Sequence, residues 1–196
     1  IRGMWKWLPV FMSIDIARAI VQSKFPEILY EPKHCITGPS FSTVINFIEE
    51  CHQYEYLSVD IECYGFTKYG MGEISCVGIG AKRTALCIPF VRSGKIPYWT
   101  EREECIIWQK LAQLLQSSTI KKIGQNLAFE WIYFWKHHIY SQGLFIDTML
   151  LHHCLYSDFS GKVKTDTSSG RDIRTSRASE PGHGLAFIHS QYNDDI

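Results

Sequence analysis

Two acidic side chains lie two positions apart in one short segment of the sequence. Asp60 and Glu62 alternate with apolar residues at positions 57, 59, 61 and 63. Successive side chains of a β-strand point to opposite faces, so the alternation predicts a half-buried strand over residues 57–63 with both carboxylates on its outer face. Close carboxylates repel each other unless a cation neutralises them. The pair indicates a divalent-metal site; the alternative is an ordinary solvent-facing strand with two acidic residues.

A second segment carries an amide and an acid at the start of a predicted helix. The apolar run Ile120–Ile123 predicts a buried strand, and the pattern then changes to a helix over Leu127–His138. Asn126 and Glu130 are four residues apart, which predicts that they lie on one helical face near the start of that helix. That face can turn toward the acidic strand, so the two segments together favour a composite site.

The elements around these segments predict an α/β fold. Three strands with short connections predict an antiparallel meander, and the chain continues as strand, helix, strand, helix, which predicts a mixed sheet with helices packed on it. The predicted strands are Leu8–Phe11, Leu57–Cys63, Ile74–Ile79, Thr84–Pro89, Ile120–Ile123 and Leu144–Asp147. The predicted helices are Asp15–Ser23, 40–51, a segment after Pro97 that reaches Leu115, Leu127–His138, Thr148–Tyr156 and Ala186–Tyr192.

The two acidic segments resemble the first two motifs of the DEDD (DnaQ-like) 3'-5' exonucleases. Residues 59–62, V-D-I-E, resemble the motif D-x-E, and residues 125–130, Q-N-L-A-F-E, resemble N-x-x-F-D. Residues 145–153 and 74–80 are similar to segments of the proofreading domain of family A DNA polymerases. The resemblance covers roughly residues 37–158 and implies an RNase H-like fold.

The resemblance implies hydrolysis by two Mg²⁺ or Mn²⁺ ions about 3.5–4 Å apart. Asp60 would bridge both ions, and Glu62 would bind the first ion and orient the attacking water. Glu130 stands where the family usually has Asp, and would reach the second ion or its water shell with one extra methylene.

The resemblance also implies contacts to the substrate and a larger protein. Asn126 and Phe129 would contact the terminal nucleotide and pack the helix start, and Gln125 occupies a position often held by His or Gln. The implied partners are the 3' end of single-stranded DNA and a polymerase domain of the same longer chain, of phage type. The implied compartment is the cytoplasm of a bacterial or phage-infected cell.

The family requires a third motif, Y-x-x-x-D or H-x-x-x-x-D. Tyr192 is followed four residues later by Ile196 and does not match. His153 and Asp158 have the required spacing but follow the second motif too closely. Because residues 185–192 are similar to the segment that precedes the third motif in phage-type polymerases, we expect that motif beyond residue 196.

Two other functions remain open at this point. One is an RNase D-like exonuclease that trims RNA. The other is a catalytically weakened remnant that acts as a structural or interaction module. Glu130 in place of Asp and the missing third carboxylate favour the remnant.

Composition excludes several classes of protein. The 196 residues balance 20 Lys and Arg against 20 Asp and Glu, so a histone-like electrostatic binder is not indicated. Seven scattered cysteines without a CxxC pair fit neither a disulfide framework nor a zinc ribbon. The adjacent histidines 137–138 and 152–153 point about 100° apart on a helix and cannot chelate one zinc ion together. No apolar stretch approaches membrane-spanning length.

The composition along the chain predicts four segments. Residues 1–36 are interpreted as a lead-in and residues 37–159 as the exonuclease domain. Residues 160–184 are nearly devoid of large apolar side chains and are predicted to form a flexible polar insertion. Residues 185–196 are interpreted as the start of a C-terminal part that is cut short.

Overall fold

The structure, a computed structural model, describes residues 8–24, 33–65, 72–155 and 185. Its contacts divide the chain into two compact units, residues 1–31 with 152–196, and residues 32–151. The predicted insertion at 160–184 and the predicted helix Ala186–Tyr192 lie outside the described residues.

The first unit contains helix α1, Leu8–Gln22. The predicted strand Leu8–Phe11 is therefore wrong, because these residues form the first turn of that helix. Proline is tolerated in a first helical turn, where its missing N–H would have no helical partner, so Pro9 does not stop α1. None of the described helices is long and apolar enough to span a membrane.

The remaining elements follow in chain order. The helices are α2 (Phe41–Cys51), α3 (Glu101–Leu115), α4 (Ala128–Lys136) and α5 (Thr148–Leu155). The strands are β1 (His34–Ile36), β2 (Tyr56–Tyr64), β3 (Glu73–Ala81), β4 (Thr84–Pro89), β5 (Val91–Arg92), β6 (Ile96–Pro97), β7 (Lys121–Gly124) and β8 (Phe145–Asp147). Apart from Leu8–Phe11 and the start of the helix predicted at Asp15, which begins seven residues earlier at Leu8, the predicted strands and the helices within the described residues are confirmed to within a few residues at their ends.

Six strands form one mixed sheet in the order β1-β4-β3-β2-β7-β8. The predicted antiparallel meander is β2, β3 and β4. Strands β7 and β8 extend the sheet on the other side of β2 in parallel orientation. Strand β1, which the sequence did not predict, pairs in parallel with β4. The sheet and its flanking helices confirm the α/β, RNase H-like fold class.

The core lies against one face of β2. Leu57, Val59 and Ile61 are at most 5% exposed and pack among buried residues of α2 and α3 such as Ile48 and Leu111. The intervening positions of β2 face solvent, as the alternation predicted. Burial of each large apolar side chain contributes about 1.5–3 kcal/mol, which holds β2 in the one register that leaves its acidic face outward.

Parallel pairing places the carboxyl ends of β7 and β8 beside the first half of β2. Ser58 of β2 pairs with Ile123 of β7, and Gly124 at the end of β7 pairs with Asp147 at the end of β8. Gly124 permits this approach, since a Cβ there would lie 2.9 Å from the carbonyl oxygen of Val59. The end of β7, and with it the start of α4, is thus held directly beside the acidic part of β2.

Candidate active site

Asp60 and Glu62 lie on the outer face of β2 and are both exposed. Their cross-strand neighbours on β3 are small: Asp60 is opposite Gly78 and Glu62 is opposite Cys76. Partial burial raises the pKa of Asp60, and the nearby charge of Glu62 raises it further. The two carboxylates are therefore close enough to repel each other, as their spacing in the sequence predicted.

A sharp turn connects β7 to α4. Asn126 has a φ of 61°, in the left-handed region that asparagine tolerates better than most residues. Helix α4 starts only at Ala128. The prediction that Asn126 and Glu130 share one helical face is therefore wrong, because the left-handed residue breaks the helical path before α4 begins. Asn126 is exposed in the turn, whereas Glu130 is buried in the helix.

The carboxylate of Asp147 fastens this turn to the end of β8. Its Oδ1 accepts a hydrogen bond from the backbone N–H of Asn126 at 3.0 Å, and its Oδ2 accepts one from Leu127 at 2.8 Å. Oδ1 also accepts hydrogen bonds from Met149 at 2.9 Å and Leu150 at 3.3 Å, in the first turn of α5. One side chain thus caps the N-termini of two helices.

Asp60, Glu62 and Glu130 form an acidic cluster, and Glu130 is its buried member. Its side chain is 3% exposed, and its Oε2 has no hydrogen-bond partner. Burial raises its pKa to about 7, and the charges of Asp60 and Asp147 contribute to the rise. The structure therefore brings Glu130 of α4 into electrostatic contact with Asp60 of β2, although the two residues are 70 positions apart.

The two remaining predicted residues lie beside this cluster. Phe129 is half-buried, with its ring 4.9 Å from that of Tyr133. The side-chain carbonyl of Gln125 accepts a hydrogen bond from the hydroxyl of Thr148, which also donates to the carbonyl of Gly124 at 3.1 Å. These contacts join the start of α4 to the core on one side and to the start of α5 on the other.

The chemistry of the acidic cluster suits a hard divalent cation in donor type. Carboxylate oxygens are the ligands that Mg²⁺ and Mn²⁺ prefer, and a buried oxygen without a partner is a ready donor. Across the described ranges, no three His, Cys, Asp or Glu side chains are grouped closely enough to hold an ion by themselves. Of the spaced pair considered for a third motif, His153 is exposed on α5 and Asp158 lies outside the described residues.

Asp147 is the functional candidate that sequence reasoning did not single out. The sequence predicted that it ends a strand and placed it within residues 145–153, which are similar to a segment of the family A proofreading domain, but assigned it no role. The available signal was an acidic residue directly before a predicted helix, since Asp is a strong N-cap residue. Nothing in the sequence indicates that the same carboxylate also caps α4, because that contact spans 20 positions along the chain.

Several solved structures resemble the chain in fold. Escherichia coli RNase D has 16% sequence identity and a TM-score of 0.45, with 62% of this chain and 28% of that chain covered. The Aedes aegypti Nibbler EXO domain has 14% identity and a TM-score of 0.47, covering 68% and 61%. Brucella melitensis NrnC, solved with bound Mg²⁺, has 16% identity and a TM-score of 0.45, covering 83% and 60%.

These structures assign no substrate to this chain, which spans between 28% and 61% of their length. No curated protein matches the chain. A family model described as 3'-5' exonuclease matches residues 40–194, which is more than half of the chain and includes every residue of the acidic cluster. The chain belongs to this 3'-5' exonuclease family.

Proposed function

We propose that this protein removes nucleotides from the 3' end of single-stranded DNA as the proofreading domain of a family A DNA polymerase. Asp60, Glu62 and Glu130 form its acidic centre, and Mg²⁺ or Mn²⁺ ions are its cofactors. The observation that carries the proposal is the electrostatic contact between Asp60 and the buried, unpartnered carboxylate of Glu130. Folding places like charges together there, which destabilises the chain unless a cation joins them.

Each residue of the centre has a distinct task in the proposed reaction. The exposed carboxylates of Asp60 and Glu62 hold the ions on the open face of β2. The buried carboxylate of Glu130 closes the centre from the side of α4. Bound divalent ions supply activation of the attacking water and stabilisation of the leaving 3' oxygen.

Asn126 and Phe129 are proposed to receive the terminal nucleotide. Asn126 is exposed at the turn, so its amide is available to hydrogen-bond a base or sugar. The half-buried ring of Phe129 offers part of its surface for stacking. Because the turn precedes Glu130 by only one helical turn, a nucleotide bound at Asn126 lies next to the acidic centre.

The proposal is tested with a 5'-labelled single-stranded DNA oligonucleotide and Mg²⁺. We expect stepwise shortening from the 3' end and complete loss of this activity in Asp60→Asn. EDTA should stop the digestion, and excess Mg²⁺ should restore it. The digestion is expected of a chain extended past residue 196, where the third motif is expected, and the 196-residue chain by itself is expected to be nearly inactive. The matched control is Glu101→Gln, which neutralises an exposed acid in the first turn of α3.

Three results would contradict the proposal. If Asp60→Asn digests the DNA as fast as the unaltered protein does, Asp60 does not belong to the active centre and the assignment of that centre is wrong. If the protein digests an RNA oligonucleotide of the same sequence and leaves the DNA intact, it is an RNA-trimming exonuclease. Absence of digestion and of Mn²⁺ binding in every form of the chain favours the catalytically weakened remnant.

A further inference from the structure

The start of α4 lacks the residue that ordinarily caps a helix. The residue before the first helical position is Leu127, which has no side-chain hydrogen bond to the helix. Leu127 is instead 2% exposed and packs beside Gly124. The first N–H groups of a helix have no partner within the helix, and burying them without one costs about 1–3 kcal/mol each. No local side chain therefore fixes the start of α4, and the segment just before the helix has to be held by another part of the fold.

Asp147 performs this task from the neighbouring strand. Its Oδ1 accepts a hydrogen bond from the N–H of Asn126 at 3.0 Å, and its Oδ2 accepts one from the N–H of Leu127 at 2.8 Å. Two successive residues of the turn are thus held by one side chain. The same carboxylate caps α5 through Met149 and Leu150. Four backbone donors thus bind this carboxylate, three at Oδ1 and one at Oδ2, so its hydrogen bonds go mainly to the backbone at the starts of the two helices.

We propose that Asp147 is a positioning residue of the exonuclease centre: by accepting hydrogen bonds from Asn126 and Leu127 it holds the turn before α4, and so sets where the helix presents Glu130, whose Oε2 has no hydrogen-bond partner, to Asp60. This inference rests on the proposed function for the reaction it serves. The hydrogen bonds of Asp147, however, exist independently of that reaction. Groups that orient ligands without touching the metal typically change metal affinity or activity by about 10–100-fold when they are altered.

The test is a graded series, Asp147→Asn and Asp147→Ala, with Thr100→Ala as the matched control. Thr100 caps α3, away from the acidic centre, through a hydrogen bond from the N–H of Glu103. Asparagine is nearly as good a cap as aspartate, but alanine is a poor one. We therefore expect Mn²⁺ affinity and kcat to fall by about 10–100-fold in Asp147→Ala and by clearly less in Asp147→Asn, whereas Thr100→Ala leaves both unchanged.

Amide hydrogen exchange supplies a readout that does not depend on catalysis. The N–H groups of Asn126 and Leu127 are expected to exchange about tenfold faster in Asp147→Asn than in the unaltered chain, since a charge-assisted hydrogen bond is lost. Thr100→Ala is expected to leave both amides unchanged. This measurement remains available if Asp147→Ala does not fold, because the Asn variant keeps the size and most of the contacts of the side chain.

The outcomes separate the two proposals. Equal loss of Mn²⁺ binding in the Asn and Ala variants identifies Asp147 as a direct ligand and overturns the positioning role. Unchanged exchange at Asn126 and Leu127 overturns it as well. If the unaltered chain neither binds Mn²⁺ nor digests DNA while the exchange rates change as expected, the proposed function fails and the capping role of Asp147 stands.

Discussion

Helices α3 and α4 carry a glutamate at the same position, the third residue of the helix, and the two side chains have opposite environments. Glu103 of α3 is only partly buried and accepts a hydrogen bond from the backbone N–H of Thr100 at 3.0 Å, which lowers its pKa. Glu130 of α4 is buried, has an oxygen without a partner, and has a pKa raised to about 7. The difference begins one turn earlier, at the residue before each helix.

Thr100 and Glu103 form a capping box, in which each side chain binds the backbone of the other residue. Leu127 at the corresponding position of α4 offers no such partner. The glutamate that would complete a capping box is therefore available for another purpose. The start of α3 is capped by its own residues. The start of α4, which carries Glu130, is held by Asp147 at the end of β8.

The largest expected effect that sharpens this comparison is on pH-dependent stability in metal-free buffer. The pKa of Glu130 is about 7 in the fold, against 4.5 for the ordinary group, so the folded state binds its proton more tightly. The stability from this group is complete below pH 4.5 and is lost as the pH rises to 7. In the unaltered chain this rise in pH should lower the free energy of unfolding by on the order of 3 kcal/mol, and Glu130→Gln should abolish that decrease. Urea denaturation at each pH measures it.

Glu103→Gln is the control for that experiment, at the same helical position. Because the pKa of Glu103 is lowered in the fold, its contribution is present above pH 4.5 and is lost as the pH falls below that value. The two variants should thus change the pH profile in opposite directions. Parallel profiles for the two variants would refute the contrast between the two glutamates.

A second change disturbs the position of α4 without touching an acid. Gly124→Ala introduces a Cβ 2.9 Å from the carbonyl oxygen of Val59, so β7 and β2 must move apart. We expect a loss of about 2 kcal/mol in the free energy of unfolding, as for other overpacked interiors. Gly78→Ala is the control, because its added Cβ has ordinary contacts at 3.7 and 3.9 Å. An equal loss in both variants contradicts a specific requirement at Gly124.

The smallest expected effect concerns α3. Thr100→Ala removes its capping box and should lower the free energy of unfolding by about 1 kcal/mol. Because α3 does not carry the acidic cluster, DNA digestion and Mn²⁺ binding should remain unchanged once the protein is fully folded. DNA digestion and Mn²⁺ binding are measured at a temperature well below the midpoint of thermal denaturation. A tenfold loss of Mn²⁺ affinity in Thr100→Ala would show that the centre responds to any weakened helix start.

Local patterns were sufficient to predict the outer face of β2 and most of the sheet. The alternation around Asp60 and Glu62 has the period of a strand, and burial of the intervening apolar side chains enforces the same arrangement in the fold. The helix start at Thr100 was equally local, since the cap and the residue that it binds are three positions apart. Strand β1 escaped prediction because two of its three residues are exposed and show no buried apolar face, and its place depends on pairing with the distant strand β4.

The sequence alone determined the two acidic segments, their elements and the family that they resemble. It did so because these features depend on neighbours within one strand or one helical turn. Only the tertiary structure decided that Asn126 leaves the helical path, that Glu130 is buried beside Asp60, and that Asp147 caps α4 from 20 positions away. Those three properties depend on the parallel pairing of β2, β7 and β8, whose partners are distant in the chain and leave no periodic signal in the sequence.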